Sequence, residues 1–145
     1  MPLPPSRPRR LTNLIRDAYG GDGQPVVLSS RSDFLKISPM YRFNQWHAIY
    51  APPAGEFWAR LEFTRRLARE RDAKRFAALA RGNRFDPIDV FVLRSTTNGR
   101  LVYKVFTVDF PYGHRTVRIP FDEDQFAHAY WQTVEVGPWF IAAPR

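Results

Sequence analysis

The chain has no cysteine, so disulfide scaffolds, thiolate metal sites and a cysteine nucleophile are all excluded. Histidine is scarce too. His47, His114 and His128 stand far apart, in none of the spacings that metal ligation favours, and we expect neither a metal nor a cofactor. No apolar run approaches the roughly 20 residues that a bilayer-spanning helix needs. The N-terminus has prolines and arginines in place of the apolar stretch of a signal peptide. There is no glycine-spaced phosphate loop, no dinucleotide fingerprint and no nucleophile elbow. Acidic residues are in deficit, 14 against 22 Lys and Arg, and the resulting net charge of +8 favours anionic partners without choosing among them.

Aromatic residues are plentiful. At 145 residues, with 12 Phe and 4 Trp, the chain can bury a real core as one domain. They concentrate, with polar side chains between them, in residues 43–60, around which the rest of the sequence is organised. Pro52 and Pro53 divide this stretch into a polar-aromatic loop and a helix start, because proline fits the first helical turn. Flat, hydroxyl-rich ligands are held by aromatic ring faces together with planar amides, carboxylates and guanidinium groups. Trp46, Tyr50 and Trp58 are candidates for the first role. Asn44, Gln45, His47, Glu56 and Arg60 are candidates for the second. Taken singly, Phe43, Ile49, Phe57 and Trp46 read more simply as core, and His47 as a hydrogen-bonded core histidine.

The order of segments predicts an α/β domain with one mixed β-sheet, helices packed on it and a β-meander in the C-terminal half. Residues 1–24 read as a basic, proline-rich linker or tether with one or two helical turns from Thr12 to Tyr19, and residues 25–145 as the folded domain. Val26-Val27-Leu28 and Val90-Phe91-Val92-Leu93 are continuous apolar runs suited to interior strands. Ser30 or Ser32 is placed to cap a short helix through Phe34 and Leu35. The main helix runs from about Pro53 to Arg71, with Phe57, Leu61, Thr64, Leu67 and Ala68 inward and Trp58 on the polar side with Glu62, Arg65 and Arg69. A second helix, Asp72 to Arg81, turns Phe76, Leu79 and Ala80 inward and stops at Gly82-Asn83. Asn98-Gly99 is a hairpin signal, Asp122 to Gln125 has the form of a capping box opening a helix to Ala129, and the last strands flank Gly137-Pro138.

Enzymatic constellations are weak. His47 with His114 as an acid–base pair, or Glu56 with Asp109 as a glycosidase pair, would need distances that spacing does not supply, and no catalytic residue is assigned. In order, the segments Val26-Val27-Leu28-Ser29, His47-Ala48-Ile49-Tyr50-Ala51-Pro52 with Glu56-Phe57 and Arg60, Asp89 to Arg94, Asp109-Phe110-Pro111 and Val134-Glu135-Val136-Gly137-Pro138-Trp139-Phe140 resemble the C-terminal soluble domain of the galactan 5-O-arabinofuranosyltransferases of actinobacterial cell-wall synthesis. The resemblance implies an extracytoplasmic module of a membrane glycosyltransferase that transfers arabinose from a polyprenyl-phosphate donor to a galactan acceptor. The family's catalytic acid belongs to the membrane part. An excised or freestanding domain is therefore expected to be non-catalytic and to hold the acceptor or cover the membrane site. Implied partners are the galactan, the membrane-embedded part and, for Arg7, Arg9 and Arg10, anionic lipid. A basic nucleic-acid-binding domain and a small stand-alone hydrolase are the competing readings. The first is disfavoured because the basic residues spread over the helices without a recognition motif.

Overall fold

The computed structural model describes residues 7–20, 24–30, 41–44, 56–109 and 113–145. Its elements are α1 (Arg7–Tyr19), β1 (Val26–Ser29), β2 (Tyr41–Arg42), α2 (Glu56–Arg69), α3 (Ala73–Arg81), β3 (Val90–Ser95), β4 (Arg100–Asp109), β5 (Gly113–Asp122), β6 (Trp131–Val136) and β7 (Trp139–Pro144). The seven strands form one mixed sheet, and the α/β class expected from the sequence is what the chain adopts.

β3 is the centre. One of its edges pairs with β7, antiparallel from Phe91↔Ala142 to Arg94↔Trp139. The other edge is shared end to end: parallel to β1 at Val90 to Val92, then antiparallel to β4 at Arg94 and Ser95. Both faces of β3 are covered, which explains its unbroken apolar run. Phe91 and Leu93 enter the cluster under α2 and α3. Val90 and Val92 join Ile141, Ala143, Ile15 and Ala18 on the opposite face, under α1.

The helices follow their apolar spacing. In α2, Phe57, Leu61, Thr64, Leu67 and Ala68 are buried, as the stripe predicts, while Trp58 and Glu62 are exposed. Asp72 caps α3 by accepting a 2.9 Å hydrogen bond from the Arg75 amide. Arg81 at its other end donates to Asp89 and to the Ile88 carbonyl. Asp89 in turn accepts from the Val26 amide at 2.8 Å. One largely buried carboxylate thus ties the end of α3 to the start of the parallel pair β1–β3.

Several local expectations change. The segment expected as a tether contains a 13-residue helix, longer than the one or two turns anticipated, with Thr12, Ile15 and Ala18 buried. Their i, i+3, i+6 spacing gives α1 a narrow apolar stripe that docks on β7 and β6, and Pro8 falls in the first turn, where proline is tolerated. The expected helix after Asp122 is only a 3₁₀ turn, Glu123–Gln125. Gln125 does reach back, accepting from the Asp122 amide at 2.8 Å, but its amide nitrogen is committed to the carbonyls of Ala68 and Glu70, which leads the chain away from a further turn. The helix that Ser30 or Ser32 is placed to cap falls outside the described residues, and Ser30 itself is bonded to a neighbouring strand. Its hydroxyl donates to the Val102 carbonyl at 3.1 Å and accepts from the Lys104 amide at 2.9 Å, filling the fork where β4 parts from the line of β1. Ser32, Phe34 and Leu35 lie outside the described residues. Asn98 and Gly99 both adopt positive φ, as an Asn-Gly hairpin turn requires.

Candidate functional site

Of the eight candidate residues, Asn44, Glu56, Trp58 and Arg60 are described; Gln45, Trp46, His47 and Tyr50 lie outside the described residues. The four are brought to one place by the meeting of the β2 end with the first turn of α2. Phe43 continues the β2 line, its amide donating to the Val27 carbonyl at 2.9 Å, and its ring is buried against Phe63 and Phe85. Asn44 then donates from its side-chain amide to the Phe57 carbonyl at 3.2 Å.

Arg60 is the hub. It donates from Nε and Nη2 to Glu56 at 2.9 and 2.6 Å, from Nη1 to the Phe43 carbonyl at 2.8 Å, and pairs through Nη2 with Asp86 at 2.8 Å. Its carbon centre lies 5.0 Å from the Phe43 ring centroid and 5.1 Å from that of Phe85. Four of its five donors are therefore engaged within the chain, and two aromatic rings lie beside the guanidinium. Arg60 clamps the β2 end and the Phe85-Asp86 segment onto α2, so its role here is to hold the site together.

Trp58 is differently placed. One step around the helix from buried Phe57, it is 48% exposed, and Phe57 meets it edge-on at 5.2 Å. A half-exposed indole offers ring surface to a ligand. Glu62, one helical turn on, begins a cleft of about 710 Å³ between α2 and the end of α3, which Phe63, Arg66, Asn83, Arg84 and Phe85 help to line. Asn83, Arg84 and Phe85 were not singled out from the sequence, and neither was Asp86; the only signal was that they follow the Gly82 stop. Tyr41, 59% exposed on the edge strand β2, was also missed, because a strand of two residues leaves no periodicity to read.

The His47–His114 and Glu56–Asp109 pairs considered from sequence rest on side chains that lie outside the described ones. No group of three or more His, Asp or Glu that could hold a metal is present among the described residues. Asp109 and His114 sit at the far end of the β4–β5 hairpin, in the pairs Asp109↔Gly113 and Val108↔His114. No helix among the described residues is long and apolar enough to cross a membrane.

Residues 8–144 match the family described as Arabinofuranosyltransferase A C terminal, and the chain belongs to that family. No curated protein matches it.

Proposed function

We propose that this member of the arabinofuranosyltransferase C-terminal family is the acceptor-holding, non-catalytic domain of a membrane enzyme that passes arabinose from a polyprenyl-phosphate donor to galactan on the extracytoplasmic side. The observation that carries the reading is Trp58, a half-exposed ring one helical turn before Glu62, which lines a cleft. A sugar ring stacks its apolar face on the indole, and its hydroxyls meet Glu56 and Glu62 along α2. Each exposed hydroxyl exchanges water for protein at a small net gain, about 1 kcal/mol, so a single aromatic platform contributes much of the affinity. Gln45, Trp46, His47 and Tyr50 follow Asn44 in sequence and are candidates for the same ligand. The membrane-embedded part of the enzyme supplies the reacting groups, and Arg7, Arg9 and Arg10 meet anionic lipid beside it.

The test is an NMR titration with galactan and arabinogalactan oligosaccharides. Amide shifts should map to 44–62 and 82–86, and Trp58→Ala should weaken binding about tenfold, as loss of an aromatic anchor does. Saturation unaffected by Trp58→Ala, or shifts confined to other surfaces, would overturn the reading. Steeply salt-dependent binding to random DNA with no glycan response would favour the nucleic-acid alternative instead.

A further inference from the structure

Among the described residues, the sheet face that carries α1 is covered at one end only. Beyond Val90 and Val92 the same face of β3 presents Arg94, whose neighbours across the strands are Val102 on β4 and Trp139 on β7. The next positions on β4 and β5 are Lys104 and Arg118, directly opposite each other, followed by Phe106 opposite Thr116. Ser30, Arg94, Lys104, Phe106, Arg118 and Trp139 help to line a recess of about 390 Å³.

Two like charges directly opposite on neighbouring strands destabilise a sheet, because their Cβ atoms lie about 5 Å apart. Here a third cation stands one strand away. Among the described residues no carboxylate pairs with Arg94, Lys104 or Arg118, although Glu56, Glu62, Asp86, Asp89 and Asp122 all answer other arginines. The Lys104 ammonium rests 5.0 Å from the Phe106 ring centroid, which holds it over the recess floor. The floor itself is rigid: the Ser30 hydroxyl bridges Val102 and Lys104 on the β4 backbone. Converging cations without a paired carboxylate among the described residues, set in a fixed concave surface with aromatic walls, form an electrostatic match for a compact anion with several acceptor oxygens.

We propose that this recess binds a phosphate ester anion, with Lys104 and Arg118 sharing its oxygens and Arg94 closing from the β3 side. It lies on the opposite sheet face from Trp58 and does not depend on the glycan reading. The shared chemistry, a tetrahedral phosphate, can come from a free phosphorylated small molecule or from a lipid headgroup.

The experiment titrates the chain with glycerol phosphate, following Lys104 and Arg118 amides by NMR, and separately measures flotation with phosphatidylglycerol and phosphatidylcholine vesicles. Two variants of equal charge change are compared: Lys104→Gln with Arg118→Gln, and Lys74→Gln with Arg75→Gln on the exposed side of α3. The first should lose about tenfold in affinity, as expected when charge-assisted hydrogen bonds are removed, and the second should bind nearly as the parent chain does. Arg118→Glu, which can pair with Lys104 across the strands, should fold and abolish binding. Response to glycerol phosphate identifies a free ligand; response to phosphatidylglycerol vesicles alone identifies the headgroup. No binding to either, or equal loss in both charge-matched variants, overturns the proposal.

Discussion

The two faces of the sheet are built from the same strands and packed by opposite means. Under α2 and α3, Phe76, Phe91, Phe121, Phe126, Trp131 and Phe140 pack edge to face, with ring centroids 5.0 Å apart for Phe76–Phe126 and 5.4 Å for Phe91–Trp131. Under α1 the buried apolar side chains among the described residues are Val27, Val90, Val92, Ile141, Ala143, Ile15 and Ala18, none aromatic, with Tyr19 and Trp139 partly buried against them. Large rings fill the volume under two helices, while small and β-branched residues let one short helix approach closely. Period-two alternation along β3 and β7 is enough to sort the residues between faces. The aromatic face carries most of the buried area and so most of the stability. Among the described residues the face under α1 is only partly covered, and Arg94, Lys104 and Arg118 lie on its uncovered part.

The largest effect should come from cutting the aromatic face. Phe91→Ala is expected to cost about 4 kcal/mol, against about 2 kcal/mol for its neighbour Val92→Ala on the other face, measured by urea unfolding. Equal costs would remove the distinction between the faces. Asp89 lies at the seam between them, and Asp89→Ala leaves the Val26 amide unsatisfied and Arg81 without its carboxylate. It should cost about 2 kcal/mol, discounted because Arg81 remains partly in water.

The aromatic face also contains a flaw. The Tyr103 hydroxyl is fully buried with no hydrogen-bond partner among the described residues, and burial pushes its pKa well above the ordinary tyrosine value. Tyr103→Phe removes an unsatisfied polar group and should raise stability by about 1 kcal/mol, read as a higher urea midpoint with unchanged slope. A loss of stability would mean that the hydroxyl has a partner in solution. The smallest effect is at the rim, where Glu123 has its pKa raised by desolvation and then by the hydrogen bond and charge of Glu135, with Asp124 adding to it. A folded pKa above the unfolded one means that the favourable contribution of protonated Glu123 is present in acid and is lost as pH rises through the folded value. Glu123→Gln should therefore be more stable than the parent at neutral pH, by a margin that closes below the normal glutamate range. Thermal unfolding across pH checks the sign.

Periodicity and turn chemistry determined much of this molecule from the sequence alone. The α2 stripe, the inward Phe76 and Ala80 of α3, the interior strands β1 and β3 and the Asn-Gly turn follow from local rules, because each repeats a pattern that one face of an element must bury. The exposed side of Trp58 followed from helical geometry in the same way. Tertiary structure alone decided the rest. Whether α1 would dock depended on the small-residue patch of β3 and β7 that receives Ile15 and Ala18. Whether Arg60 would face a ligand or the chain depended on Asp86 and Phe85, 26 and 25 positions away, coming to meet it. The facing of Lys104 by Arg118 depended on strand register, and Ser30 became a bridge because β1 and β4 share one edge of β3. Local sequence sets which face of an element is apolar; only the meeting of elements distant in the chain decides what covers that face and which charged groups remain without partners.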